Sequence, residues 1–251
     1  MRDDGTLRRA PIVAERSGIN LYAEHSLHAQ LKEYLAGPGD RLEVPMGGRV
    51  IDLVRADGEL VEVQTGNLGK IVAKTLALAG SGHRVRVVHP IAAEREIRRL
   101  DPKTAELLSV RKSPRRGDVF TLFDELVMAA GLVASRNVTV EALLIKTVEV
   151  KTRDGSGSWW RRGDRTVDRE LLEVLSSRSF RTPGQWLSVI PGDLLPPWTS
   201  SSLGEALEIG PDRARKILYC LARAGLLIEV DKDGRRKAYE ASKARRKRPS
   251  P

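Results

Sequence analysis

The sequence predicts an α/β protein: one helix, three strands, a second helix and a fourth strand around a mixed sheet, followed by a smaller unit of helices and a β-hairpin. Three observations carry this prediction. Apolar residues keep a helical period before residue 37 and again over 68–80. Runs of strand composition fill much of 41–64 and 83–91, and Gly-Gly, Asp-Gly and Gly-Pro steps punctuate the joins. With 251 residues and 41% hydrophobic content the chain can bury a substantial core, and its length allows two domains.

From Asn20 to Ala36, Leu21, Leu31 and Leu35 recur at helical spacing and Leu27 and Tyr34 widen the stripe, until Gly37-Pro38-Gly39 ends it. RLEVPM and RVIDLV flank Gly47-Gly48, and ELVEVQ follows Asp57-Gly58, which predicts an antiparallel meander. LGKIVAKTLALAG returns to the 3.6-residue period through Leu68, Ile71, Val72, Thr75 and Ala79. HRVRVVHPI then alternates as a fourth strand. A helix crossing over between the third and fourth strands makes those two parallel.

Beyond Ile91, TAELLSV and VFTLFDELVMAAGLVA read as helices around the basic loop RKSPRRGD, and VTVEALLIKTVEV reads as a strand. TRDGSGSWWRRGDR has no periodicity and reads as a linker. After it come helical VDRELLEVLSSRS, SSLGEALEI, the break Gly210-Pro211, DRARKILYCLARAGLL, and the hairpin LIEVD–KDG–RRKAYEA. Helix, tight turn, helix and hairpin is the order of a winged helix-turn-helix. The expected organisation is a tail over 1–18, a first domain over 19–152 (core 19–91, extension 92–152), a linker over 153–165, a winged helix over 166–241 and a basic tail over 242–251.

The formal charge of +10 points to a polyanionic partner, although Lys243, Arg245, Arg246, Lys247 and Arg248 supply half of that excess from the tail. One cysteine rules out an intramolecular disulfide, and with four scattered histidines it offers no zinc-ligand spacing. The first residues lack an apolar leader and no run approaches a membrane span, so a cytoplasmic protein without membrane contact is expected.

The hairpin VIDLVRADGELVEVQ raises a chemical question, because Asp52, Glu62 and Gln64 interrupt otherwise apolar strands. With Ala56-Asp57-Gly58 as a three-residue loop and Gly58 left-handed, Asp52 falls opposite Glu62 and Val50 opposite Gln64. Carboxylates on directly paired residues, Cβ atoms about 4.5–5.5 Å apart, repel each other. A hard cation such as Mg²⁺ or Mn²⁺ turns that repulsion into a binding site. Glu24 shares a helix face with Leu21, His28, Leu31 and Leu35, where an acid needs a partner or a metal.

The α-β-β-β-α-β order, Asp52 on the second strand and Glu62-Val63-Gln64 on the third resemble the PD-(D/E)XK (restriction-endonuclease-like) nuclease superfamily, over residues 19–91. The resemblance implies a restriction-endonuclease-like core, Mg²⁺-dependent phosphodiester hydrolysis, and Asp52, Glu62 and the auxiliary acid Glu24 as metal ligands. It also implies double-stranded or branched DNA as substrate, and two-fold assembly. Two positions depart from the pattern: Ile51 precedes Asp52 where proline is common, and Gln64 stands where lysine is usual. An amide orients water or phosphate but brings no charge. Lys70 or Lys74 on the second helix would return that charge, the plain alternative being that both solvate its outer face.

DNA contacts are expected from Arg111, Lys112, Arg115 and Arg116 of the basic loop, from Arg213, Lys216 and Arg223 beside Cys220 on an outer helix face, and from Arg235, Arg236 and Lys237 on the wing. For His28 a structural role is expected, and for Trp159-Trp160 the pinning of a loop rather than a binding site. The competing function is a nuclease-fold regulator that binds DNA without cutting it, and RNA is a further possible substrate.

Overall fold

The computed structural model describes residues 26–153, 165–233 and 236–242, with the side chains of Ser26, 231–233 and Arg236 outside that description. It is a mixed α/β fold. Helix α1 (Ser26–Leu35) precedes β1 (Arg41–Met46), β2 (Arg49–Val54) and β3 (Leu60–Val63); a 3-10 turn over Leu68–Ile71 leads into α2 (Val72–Gly80), and β4 (Val85–Leu100) follows. Then come β5 (Leu107–Lys112), α3 (Leu122–Leu126), α4 (Ala130–Ala134), β6 (Val138–Thr152) and β7 (Arg165–Phe180). The chain continues through α5 (Pro183–Leu187), α6 (Ser200–Ala206), α7 (Pro211–Arg223), β8 (Leu227–Asp233) and β9 (Arg236–Ala241). The first seven strands form one sheet in the order β1-β2-β3-β4-β6-β7 with β5 on β4, while β8 and β9 form a separate hairpin.

Two expectations are corrected. TAELLSV is not helical: its second half is β5, antiparallel to β4 with Arg99 opposite Ser109 and Glu96 opposite Lys112. VDRELLEVLSSRS is not helical either, but lies within β7. In both places the pairing edge of a long neighbouring strand outweighs local helical preference, which is how tertiary context overrides a weak propensity. The elements left to the C-terminal region are therefore α5–α7 and the β8–β9 hairpin. β4 ends in a turn in which Asp101 Oδ1 accepts from the Lys103 and Thr104 amides.

The described residues form two compact units that interleave along the chain. The first draws on 26–56, 90–118, 143–153 and 165–177. In it α1 buries Leu27, Leu31 and Leu35, and Gln30 Oε1 accepts the Leu171 amide at 2.7 Å. β1 and β2 pair antiparallel as expected, Val44 opposite Ile51. Gly117 carries no side chain for a physical reason: a Cβ there would stand 2.5 Å from Ile91 Cγ2 and 3.1 Å from the Ala92 carbonyl oxygen.

The second unit draws on 57–89, 119–142, 178–233 and 236–242. β3 and β4 are parallel, with Glu62 opposite Val87 and Val63 opposite Val88, and the 68–80 segment crosses between them as predicted. Gly58 has φ +82°, the left-handed turn expected of it. Phe180 stacks on Trp186 at 4.6 Å and Phe123 meets the same indole edge-on at 6.2 Å, which ties α5 to α3. Thr182 and Thr199 cap α5 and α6 through reciprocal hydrogen bonds with Gln185 and Ser202. Trp198 and Tyr239 exchange backbone hydrogen bonds of 2.7 and 2.9 Å, an isolated antiparallel bridge beside the β8–β9 hairpin.

Candidate active site and nucleic-acid interface

Strand β3 is buried along its length, Leu60, Val61, Glu62 and Val63 alike. Successive strand side chains alternate between faces, so Glu62 and Gln64 share one face. Glu62 is only 4% exposed, and a carboxylate so buried needs a partner. It has one: Lys74, one and a half turns into the crossover segment, places Nζ 2.6 Å from Glu62 Oε1. Of the two candidate lysines, Lys74 makes this contact, while Lys70 is exposed at the end of the 3-10 turn.

The rest of this corner is polar and ordered. Gln64 donates from Nε2 to the Asn67 carbonyl at 3.1 Å, and the Asn67 side chain accepts the Gly69 amide at 2.8 Å. Glu125 of α3 accepts the Leu68 amide at 3.4 Å. His89, one step beyond the β3–β4 pairs, meets the Gln64 carbonyl oxygen through Nδ1 at 2.8 Å. A carbonyl only accepts, so Nδ1 carries the proton and the neutral ring keeps its lone pair on Nε2. Burial pushes His89 below the usual histidine range, against the upward pull of the Gln64 carbonyl and the Glu125 charge.

Asp52 lies in the first unit, where its Oδ2 is 3.3 Å from His28 Nε2. His28 is thus hydrogen-bonded to an acid, which is compatible with the structural role expected of it. Lys32 pairs with Glu43, a residue held at φ +52° whose carboxyl the Lys32 ammonium keeps below the usual range. Glu24 lies outside the described residues. Magnesium is ordinarily held by one or two carboxylates completed by waters and substrate phosphates. Glu62 is one carboxylate and is already paired with Lys74, and no group of three or more His, Cys, Asp or Glu side chains converges among the described residues.

The expected DNA contacts divide by position. Arg111 and Lys112 end β5, and Arg115 and Arg116 follow in the loop; all four are exposed. On α7 the expected face divides: Arg223 is exposed, Arg213 and Lys216 are half-buried, and Cys220 is buried. Arg213 Nη2 and Lys216 Nζ reach Asp124 of α3 at 3.3 and 2.7 Å. Cys220, expected outside, is fully buried beside Ala214, Ile217, Leu218 and Leu221, and burial pushes its thiol up to about 12. The outward face instead shows Asp212, Arg215, Tyr219 and Arg223, three and four residues apart. Lys237 pairs with Glu229 at 2.7 Å, Arg235 lies outside the described residues, and so does the side chain of Arg236. Trp159 and Trp160 also lie outside them.

His89, Arg215 and Tyr219 escaped sequence reasoning. The signal for His89 was its alternation with Val85 and Val87 on a strand parallel to Glu62-Val63-Gln64. On α7, Cys220 joins Ala214, Ile217, Leu218 and Leu221 in the buried stripe, which leaves Arg215 and Tyr219 on the exposed side.

Fold and site define an α/β protein with a large mixed sheet and a buried acid–lysine pair on a strand–helix–strand crossover. The chain belongs to the family described as Domain of unknown function (DUF8091), whose match covers residues 25–181, from the start of α1 to the residue after β7. It is also similar to an "Uncharacterized protein" of Treponema pallidum (strain Nichols), 34% identical over 221 residues that cover 88% of this chain and 86% of that protein. No solved structure matches. No helix among the described residues is long and apolar enough to cross a membrane.

Proposed function

We propose that this protein binds DNA and hydrolyses its phosphodiester bonds with a divalent metal, on a restriction-endonuclease-like core followed by a winged helix. The single observation that carries the reading is the 2.6 Å contact from Lys74 to Glu62. The Glu-Val-Gln triplet lacks the lysine that such a site uses, and α2 supplies an ammonium beside the same acid from another backbone position. A bound magnesium ion would activate a water and relieve charge on the phosphate. Glu62 offers it a carboxylate, Lys74 supplies the positive charge that Gln64 lacks, and Gln64, braced by Asn67, orients a water or phosphate oxygen. Asp52 and Glu24 enter as further acids through their sequence positions, to be tested by substitution.

The winged-helix part rests on the order α6, α7, β8, β9 with the Trp198–Tyr239 bridge, and on the outward arginines of α7. Supercoiled, branched and single-stranded DNA incubated with Mg²⁺ or Mn²⁺ provides the test. The wild-type chain is expected to cleave at least one of them, and Glu62→Gln and Asp52→Asn to abolish cleavage while DNA affinity stays nearly intact. Unchanged turnover in Asp52→Asn removes it from the site. A second reading, a DNA-binding regulator without cleavage, is favoured by the same ion pair, because a carboxylate neutralised by lysine has no need of metal. Tight DNA binding with no cleavage of any substrate selects that reading.

A further inference from the structure

Strand β6 carries a second buried acid, Glu149, which is 6% exposed and takes no part in the site described above. Its Oε1 accepts from the Thr166 hydroxyl of β7 at 2.8 Å. Three cations gather on the same carboxylate. Arg95 comes from β4 on one side of β6 in the sheet, Arg169 from β7 on the other, and Lys151 from β6 itself, two residues on and so on the same face as the acid. All of these residues belong to the first compact unit. Burial pushes the Glu149 carboxyl up, but the Thr166 hydrogen bond and the charges of Lys151, Arg95 and Arg169 outweigh it and hold the group below the usual range. The acid is therefore ionised at neutral pH, and the cluster is left with two positive charges in excess.

Neutralising Glu149 takes one cation, and none of the three is locked to it. Arg95 Nη1 stands 3.7 Å from Oε2, while Arg169 Nη2 and Lys151 Nζ stand 3.8 and 4.0 Å from Oε1. All three exceed the roughly 2.7–2.9 Å of a charge-assisted hydrogen bond. Other buried acids of this protein close on their cations, Glu62 on Lys74 at 2.6 Å and Glu141 on Arg86 at 2.7 Å. Among the described residues no second carboxylate forms an ion pair with Arg95, Lys151 or Arg169; Asp168, next in the chain, accepts the Arg169 backbone amide instead. Side-chain exposure rises from 9% at Glu149 through 18% at Lys151 and 30% at Arg95 to 58% at Arg169, so the acid is the floor of the cluster and Arg169 its rim. Surplus cations held this close repel one another unless an anion joins them. Lys151 Nζ and Arg169 Nη2 both lie within 4.0 Å of one oxygen and so are no further apart than twice that distance. A phosphate accepting from donors on either side fills such a gap, and the arginine fork suits its oxygens.

The geometry points to Arg95, Lys151 and Arg169, gathered over Glu149, as a phosphate-binding site in the unit that does not hold the Glu62–Lys74 pair. Glu149 collects the three cations, and Thr166 fixes the acid. The group recognised is a phosphate, a chemistry that free phosphate shares with the phosphodiester of a nucleic-acid chain. The site needs neither metal nor cleavage, so it stands apart from the nuclease reading.

Isothermal titration of the full chain with inorganic phosphate, at ionic strength matched with chloride, tests the site. Wild type is expected to bind phosphate, and phosphate to raise its urea midpoint above the value in chloride. Arg95→Gln and Arg169→Gln, the latter changing only an exposed side chain, should each weaken binding at least about tenfold, the loss of one charge-assisted bond. Arg98→Gln, whose guanidinium is held by Glu96 at 2.7 Å, should bind as wild type does. Glu149→Gln removes the competing acid and keeps the cations, so its urea midpoint in chloride should fall while phosphate binds it more tightly. An unphosphorylated single-stranded oligonucleotide separates the two sources. Binding that inorganic phosphate displaces and Arg169→Gln weakens assigns the site to phosphodiesters, and a response to inorganic phosphate alone assigns it to the free ion. No binding of either probe, equal losses in Arg98→Gln and Arg169→Gln, or weaker phosphate binding by Glu149→Gln would each overturn the assignment. DNA cleavage is not read in any arm, so failure here and failure of the nuclease reading are separate results.

Discussion

A buried carboxylate is among the most costly groups a protein can carry, and Glu62 is tolerated because Lys74 reaches it. Removing either partner alone should therefore expose the cost. Lys74→Met and Glu62→Ala are each expected to lose about 3–5 kcal/mol of stability by urea unfolding. The double change Glu62→Gln with Lys74→Met should recover part of the loss, because no unpaired charge remains. Equal losses in the double and single variants would mean that the two side chains do not act as a pair. His89 carries the pH dependence. Its folded value is depressed below 6.5, so the unfolded chain binds the proton first as pH falls. Its stability contribution is complete above the unfolded value and declines below about pH 6.5. His89→Gln should flatten the fall in urea midpoint between pH 7.5 and 5.5.

Among the elements, α7 has two cationic faces with different work. Arg213 and Lys216 bind Asp124 on α3, whereas Arg215, Tyr219 and Arg223 point outward. Arg223→Ala should weaken DNA binding across sequences and reduce the log–log salt slope by about one. Lys216→Ala should instead lower stability modestly, by about 1 kcal/mol, since its pair with Asp124 is partly solvated. Fluorescence anisotropy and urea unfolding separate the two, and a slope change in Lys216→Ala alone would reverse the assignment of faces. Gly117→Ala should cost about 1–3 kcal/mol, because its methyl group meets Ile91 and the Ala92 carbonyl. The helices and strands up to Ile91 were legible in the sequence because their apolar periods are strong and their turns carry glycine. β5 and β7 were not, since Leu107-Leu108 and Leu171-Leu172 satisfy a helical and an extended pattern equally well. Only the neighbouring strand decides.

For the molecule as a whole, the same distinction runs through the candidate site. The acids and the amide of the candidate site were readable from the hairpin, and so were two candidate lysines on the crossover segment. Which lysine was not readable, because Lys70 and Lys74 lie four residues apart on one face and the 3-10 turn over Leu68–Ile71 decides where that face points. The grouping of residues 178–242 with 57–89 and 119–142 was hidden as well. It depends on the edge-on contact of Phe123 with Trp186 and on the Asp124 ion pairs, contacts between residues far apart along the chain. The measurement that bears most directly on the central claim compares metal-dependent DNA cleavage by Lys74→Gln and Lys70→Gln, each scaled to its folded fraction. Loss of roughly 10²–10⁴-fold in rate for Lys74→Gln with Lys70→Gln near wild type is the predicted result. The reverse order, or equal rates in both, contradicts it.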